Sequence, residues 1–202
     1  MEAGGRSPAS CRPEYAFLGW GSIEVDINER AAKIKMLLMD VDGVWTDSKL
    51  HYTVGPDGKV VETKAFNTQD GIALRWLSWK KIAAGVISGR NSLATEFRAK
   101  QLDVKYIYQG HIEKIPILEE IMAKEGIGLD EIAYVGDDLT DAIVMKRVGL
   151  AVAVANARPE VKAIAHLVTE RSGGDGAIRE VIELLLKAQG AWRELLEKYE
   201  IA

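Results

Sequence analysis

A chain of 202 residues with 48% hydrophobic and 28% charged residues has the composition of one ordinary globular domain. That length is too short for a large two-domain enzyme with a separate substrate lid. A net charge of −4 argues against non-specific nucleic-acid binding, and the single cysteine, Cys11, excludes a disulfide scaffold and a cysteine zinc site. No apolar run approaches the ~20 residues that span a bilayer. The opening MEAGGRSPASCRPEY lacks the apolar stretch of a signal peptide, so a cytoplasmic protein is expected, in a reducing compartment.

Residues 1–33 read as an N-terminal extension, rich in Gly, Ser, Pro and Arg at first and weakly amphipathic around Ile23, Val25 and Ile27. Disorder is expected up to about Glu14, with a short strand or helix after it. From Ile34 the pattern is regular. Short apolar runs at 36–39, 82–87, 106–108, 132–135, 151–154 and 167–168 predict strands. Segments of helical period at 72–80, 92–101, 115–125, 141–147, 160–165 and 177–186 predict helices between them. In the third of these helices, Ile115, Leu118, Ile121 and Met122 form one apolar stripe.

This alternation predicts an α/β fold: a Rossmann-like, mainly parallel sheet flanked by helices, over residues 34–188. One segment, 48–66, interrupts it. Two strand-like runs flank Gly55-Pro56-Asp57-Gly58, which predicts a β-hairpin inserted after the first strand. The tail 189–202 reads as a short amphipathic helix with Trp192, Leu195 and Leu196 on one side, without an obvious partner in its own chain and free to contact another subunit.

The first strand runs into Asp40-Val41-Asp42-Gly43. In a parallel sheet, ligands bind in the crevice beyond the strand C-termini, and Gly43 permits a tight turn there. Taken alone, this is also how an Asp-rich capping turn looks. A second acidic cluster, Asp137, Asp138 and Asp141, follows the strand at 132–135. Alone, it too could be a helix cap. Together the clusters would gather about five negative charges at one sheet edge, which demands a cation, and hard oxygen ligands select Mg²⁺.

Ser88-Gly89-Arg90-Asn91 ends another strand and opens a helix, an arrangement suited to anions and equally to a plain N-cap. Lys114 opens the helix at 115–125, where the dipole disfavours a cation, although a surface lysine is the ordinary explanation for any one Lys. The glycines of Gly173-Gly174-Asp175-Gly176 lack the lysine spacing of a phosphate-binding loop. His51 and His111 have no partner at metal-ligand spacing and read as ordinary polar residues.

In order, DxDGV, a Ser after the next apolar strand, a Lys and GDDxxD resemble the four motifs of the haloacid dehalogenase superfamily of phosphatases. DVDGVWTD at 40–47, AFNTQDG at 65–71, ISGR at 87–90, YQG at 108–110, YVGDDLTD at 134–141, GGDGAIRE at 173–180 and AQG at 188–190 more closely resemble the 3-deoxy-D-manno-octulosonate 8-phosphate phosphatase family. The resemblance implies an enzyme without a cap domain. Its hairpin would help build a homotetramer, and a neighbouring subunit would close the site.

The resemblance also implies roles. Asp40 would be the nucleophile and Asp42 the general acid–base. Mg²⁺ would be held by Asp40, the backbone carbonyl of Asp42 and Asp137, with Asp138 and Asp141 orienting metal waters or Lys114. Ser88 and Lys114 would bind the phosphoryl oxygens. Asp42, Lys114, Asn67, Thr68, Gln69, Asp70, Gly71, Arg75, Arg90 and Arg98 would bind substrate. Arg90 and Arg98 lie eight residues apart, about two helical turns, and so could share a face.

The implied reaction is hydrolysis of an eight-carbon 3-deoxy sugar-acid 8-phosphate, a step toward lipopolysaccharide. A nine-carbon sugar-acid 9-phosphate is the near alternative, and Arg90 leans the reading toward eight carbons. A non-catalytic oligomerisation module of the same fold is the alternative from another class. Intact Asp40, Asp42, Lys114 and Asp137 argue against it. A two-component receiver domain, which also has an acidic Mg²⁺ pocket, is set aside on length and on the hairpin.

Overall fold

The computed structural model describes residues 27–201. The expectations of disorder to Glu14 and of a short element near Ile23 and Val25 lie outside those residues. In chain order the elements are α1 (Ile27–Lys33), β1 (Met36–Met39), β2 (His51–Val54), β3 (Val60–Thr63), α2 (Thr68–Trp79) and β4 (Ala83–Ser88). Then come α3 (Leu93–Gln101), β5 (Tyr106–Gln109), α4 (Ile115–Glu125), β6 (Ile132–Gly136), α5 (Leu139–Met145) and β7 (Leu150–Ala153). The last are α6 (Pro159–Lys162), β8 (Leu167–Val168), α7 (Ala177–Ala188) and α8 (Trp192–Lys198).

Six strands form one parallel sheet in the order β5-β4-β1-β6-β7-β8. The chain steps outward from β1 to β4 and β5, then returns to β6 on the other side of β1. That reversal makes the C-terminal end of β1 a topological switch point, where a crevice opens. Every residue of β1 is buried, as a central strand covered on both faces requires. Parallel pairing requires crossovers, which the helices supply: α2 and α1 both pack against α7, and α5 packs against α4 and α6. The sheet strands, α4 and the α/β class match the sequence-based expectation.

Two helices begin earlier than their apolar periodicity. α2 starts at Thr68 because Asn67 caps it, accepting the Gln69 amide at 2.7 Å. The helix runs through Gly71, where the absence of a Cβ lets the Arg98 guanidinium approach. α5 starts at Leu139 because Asp138 and Asp141 form a capping box. α4 ends where Gly126 adopts φ 66° and its amide returns to the Met122 carbonyl at 2.9 Å.

The hairpin is a separate two-stranded antiparallel sheet with His51 opposite Thr63 and Val54 opposite Val60. Gly58 at φ 77° turns the chain, and Gly55 donates to the Lys59 carbonyl at 2.8 Å. Tyr52, Val54 and Val60 are exposed.

The segments at both ends of the expected domain pack against it. α1, which lies within the expected extension of residues 1–33, is one of them. Ala31 is fully buried, Arg30 donates to the Gly149 carbonyl at 2.6 Å, and Gln189 ties α7 to the Ile34 carbonyl at 2.8 Å. The tail helix has a partner in its own chain. Trp76 of α2 meets Trp192 and Tyr199 edge-on at 6.0 and 6.4 Å, Leu195 is buried, and Lys80 pairs with Glu194. The aromatic partner sits more than 100 positions upstream, so the local pattern of α8 could not reveal it. Among the described residues no helix is long and apolar enough to cross a membrane.

Candidate active site

Alternation past β1 sorts side chains by chemistry. Val41 turns into the core while Asp40 and Asp42, on either side of it, stay partly accessible. The amides of Trp45 and Thr46 both donate to the Val41 carbonyl at 3.0 Å, and Val44 and Trp45 are buried behind the turn. Gly43 closes the turn at φ 102°, and a Cβ there would strike the Asp137 carboxylate. The first acidic loop can therefore lie against the second only with glycine at this position.

The loop 173–176, whose spacing does not fit a phosphate-binding loop, braces that turn. Gly173 lies directly on the Gly43 carbonyl, and the Gly174 amide donates to the Val44 carbonyl at 3.1 Å. Asn156, which sequence reasoning missed, clamps both segments. Its Nδ2 donates to the Gly43 carbonyl at 3.0 Å and its Oδ1 accepts the Gly173 amide at 2.6 Å.

A cavity of about 170 Å³ opens at the C-terminal sheet edge, and Asp40, Asp42, Ser88, Arg90, Lys114, Asp137 and Asp138 line it. Lys114 is only 2% exposed, so it is not the surface lysine its type suggests. Its three donors are all used: Asp40 Oδ1 at 2.7 Å, Asp141 Oδ1 at 2.7 Å and Tyr134 Oη at 3.0 Å. Burial disfavours its charge, but the Asp141 and Asp40 carboxylates outweigh that and raise its pKa. Tyr134 is a second residue missed from sequence; its hydroxyl donates to Asp141 Oδ1 at 2.7 Å. Ser88 is buried, and its Oγ accepts the Arg90 amide at 3.2 Å.

The acids are unequal. Burial pushes Asp40 up to about 6; Lys114 opposes the rise and Asp141 adds to it. Asp137 is pushed up to about 8 by burial and by the Asp141, Asp40 and Asp138 charges. Asp40, Asp137 and Asp141 can each offer an oxygen within 4.8 Å of the others. Both Asp141 oxygens are already engaged: Oδ1 by Lys114 and Tyr134, Oδ2 by the amides of Asp137 at 3.0 Å and Asp138 at 3.2 Å. Asp137 Oδ1, by contrast, is buried without a hydrogen-bond partner. An orphaned buried carboxylate oxygen beside Asp40, in an all-oxygen donor set, fits a hard divalent cation.

Asp42 belongs to a second network. Lys64 pairs with its Oδ1, and Arg90 Nε lies 3.4 Å from its Oδ2. Arg90 Nη2 also reaches Glu62 Oε2 at 2.5 Å. Lys64 and Glu62 were not singled out from the sequence; no periodicity marks a contact between a hairpin and a strand-end loop.

The other residues expected to bind substrate are not gathered in this cavity. Asn67 caps α2, with Thr68 and Gln69 exposed beside it. Asp70 is fully buried, accepts the Arg179 amide at 2.8 Å and ties α2 to the start of α7. Arg75 pairs with Asp103 and donates to the Gln101 carbonyl at 2.6 Å, near the opposite sheet edge. Arg98 lies against Gly71 and donates to Gln101 Oε1 at 2.6 Å. The expectation that Arg90 and Arg98 share a helix face is also corrected, because α3 starts only at Leu93, with Ser92 as its N-cap, and leaves Arg90 in the preceding loop.

Comparison with known proteins agrees with this geometry. The sequence pattern of haloacid dehalogenase-like hydrolases matches residues 77–182. The chain is 42% identical over 175 residues to the 3-deoxy-D-manno-octulosonate 8-phosphate phosphatase of Yersinia pestis, covering 87% of this chain and 91% of that protein. It is 39% identical over 190 residues to the Escherichia coli K12 enzyme of the same name, covering 94% and 95%. Among solved structures, the Moraxella catarrhalis phosphatase in complex with a magnesium ion, a phosphate ion and a KDO molecule superposes with a TM-score of 0.81 at 38% identity, covering 86% of this chain and 97% of that one. A probable phosphatase from Pseudomonas syringae superposes with a TM-score of 0.82 at 41% identity, covering 86% and 97%. The chain belongs to the 3-deoxy-D-manno-octulosonate 8-phosphate phosphatase family of haloacid dehalogenase-like hydrolases.

Proposed function

We propose that this protein is a Mg²⁺-dependent phosphomonoesterase that hydrolyses 3-deoxy-D-manno-octulosonate 8-phosphate to the free sugar acid and phosphate, a step toward lipopolysaccharide. The observation that carries the reading is the ion pair of the partly accessible Asp40 with the buried Lys114 at 2.7 Å, with the orphaned Asp137 oxygen beside it. A carboxylate nucleophile, a phosphate-binding cation and a free metal ligand then meet at one sheet edge.

Asp40 attacks phosphorus and forms an aspartyl-phosphate while the sugar alkoxide leaves. Asp42 donates the proton that the leaving oxygen requires, then takes one from the water that cleaves the acyl phosphate. Lys114 and Ser88 bind the phosphoryl oxygens, and Asp141 and Tyr134 hold Lys114 in position. Asp40, Asp137 and the backbone carbonyl of Asp42 would hold Mg²⁺, and Asp138 would help to orient it. Bound Mg²⁺ supplies positive charge for the phosphoryl oxygens.

The cavity of about 170 Å³ suits a phosphoryl group rather than a whole eight-carbon sugar acid, since ligand pockets usually exceed ~300 Å³. Residues 67–71, Arg75 and Arg98 lie outside it, and the hairpin exposes Tyr52, Val54 and Val60. A homotetramer in which a neighbour completes the substrate site accounts for these features together. The phosphorylated substrate and the lone cysteine suit the cytoplasm.

The test is phosphate release from the eight-carbon 8-phosphate and the nine-carbon 9-phosphate, each with and without Mg²⁺. Turnover that requires Mg²⁺ and favours the eight-carbon ester is expected. A preference for nine carbons would reassign the substrate. No release from any ester by folded protein would leave a non-catalytic module.

A further inference from the structure

We propose that Lys64, carried by the inserted hairpin, is a positioning residue that holds the Asp42 carboxylate by Oδ1 so that Oδ2 is the oxygen handling the proton of the leaving group. This rests on the reading of Asp42 as general acid–base. Lysine is almost never fully buried unless paired, yet the Lys64 side chain is 1% exposed. Its ammonium pairs with Asp42 Oδ1 and lies 3.9 Å from Glu62 Oε1. Arg90 closes the figure, with Nη2 2.5 Å from Glu62 Oε2 and Nε 3.4 Å from Asp42 Oδ2. Two cations and two anions thus alternate in a ring built from three separate segments.

The two oxygens of Asp42 are treated differently. Oδ1 accepts a hydrogen bond from Lys64, whereas Oδ2 is buried without a hydrogen-bond partner. Asp42 lines the cavity, and Oδ2 faces Arg90 Nε at 3.4 Å without a hydrogen bond, so it is the oxygen placed to exchange a proton with the reacting ester. The hairpin's other side chains are largely solvent-facing; Glu62 and Lys64 turn toward the site, at 18% and 1% side-chain exposure, and the exposed Tyr52 reaches Arg90 with its hydroxyl at 3.5 Å. The insertion therefore fixes a rotamer in the catalytic loop of its own chain, whatever else its outer face contacts. A misplaced acid loses much of the ~10²–10⁴-fold that general acid catalysis contributes.

The experiment compares wild type, Lys64→Met and Lys64→Arg with Mg²⁺ on three esters: the eight-carbon sugar phosphate, a simple alkyl phosphate and p-nitrophenyl phosphate. The nitrophenolate leaves without needing a proton, and the alkoxides do not. Expected is a fall in kcat/KM of about tenfold or more on both alkyl esters for Lys64→Met. The same variant should lose less than about threefold on p-nitrophenyl phosphate, and Lys64→Arg should recover most of the alkyl activity because it restores a cationic donor. An equal loss on all three esters would mean a structural role. A loss confined to the sugar ester would mean substrate binding. Either result overturns the proposal, whereas wild-type inactivity on every ester overturns the function reading beneath it.

Discussion

At the level of single residues, the site is a problem of crowded negative charge. Asp137 is pushed up to about 8 by burial and three neighbouring carboxylates, and one of its oxygens has no partner. Asp137→Asn removes that repulsion. The variant should match or exceed the wild type in thermal stability in chelator, yet lose the stabilisation that Mg²⁺ gives. For the wild type that stabilisation is ~2.7 kcal/mol at a hundred times Kd, and melting curves with and without Mg²⁺ read both effects. Asp40→Asn is expected to abolish turnover, and Asp42→Asn to leave a trapped phospho-enzyme, detectable as a mass increase of the intact protein after mixing with p-nitrophenyl phosphate, whose leaving group needs no proton. Substantial activity in Asp40→Asn would remove Asp40 as the nucleophile. Asp40, Asp42, Ser88, Lys114 and Asp137 were legible because each sits just past a strand or at a helix start, where parallel topology puts ligands. Lys64, Tyr134 and Asn156 were not. Their partners Asp42, Asp141 and Gly43 are reached through folding, and nothing in local periodicity encodes the contact.

At the level of elements, two tertiary ties carry predictions. Asp70 lies at the start of α2 and accepts the Arg179 amide of α7, while its other oxygen is buried without a partner. Burial raises it from 3.8 to about 6. The folded state therefore binds this proton more tightly than the unfolded chain. The contribution to stability is full below pH ~4 and is lost as pH rises through about 6, a change on the order of 3 kcal/mol. Asp70→Asn removes this slope, so chemical denaturation at pH 4.5 and 7.5 should show the variant gaining on the wild type at the higher pH. A constant difference between them would sink the assignment. The second tie is the contact of Gly173 on the Gly43 carbonyl. Gly173→Ala drives a methyl into the catalytic turn, and overpacking of this kind costs ~1–3 kcal/mol. We expect a lowered melting temperature together with a fall in kcat, because the turn that moves carries Asp40 and Asp42. The spacing of these glycines gave no sign of this bracing role, which depends on Asn156 and on a close approach of backbones.

At the level of the whole molecule, the order in which strands join a six-stranded parallel sheet reverses at β1, and the cavity lined by Asp40, Ser88, Lys114 and Asp137 opens at that reversal. The hairpin stands outside this sheet, with Tyr52, Val54 and Val60 exposed. Val54→Lys together with Val60→Lys should break the proposed tetramer in sedimentation experiments and raise KM for the sugar ester. Mg²⁺-dependent turnover of p-nitrophenyl phosphate should persist. An unaltered molecular mass would exclude the hairpin's outer face from the assembly.

The sequence by itself determined the α/β class, the succession along the chain of the acidic loops and of the Ser88 and Lys114 turns, and the hairpin, because periodicity, turn residues and strand-end chemistry are local properties. It gave no sign that the segments before residue 34 and after residue 188 pack on the domain. It also could not say which arginines face the cavity, or that the hairpin reaches back to Asp42. Those are matters of packing between segments far apart in the chain: α1 on α7, α8 on Trp76, Arg75 on Asp103 and Lys64 on Asp42. Only the tertiary structure decides them, since the burial and charge pairing that hold such contacts exist only once the chain has folded.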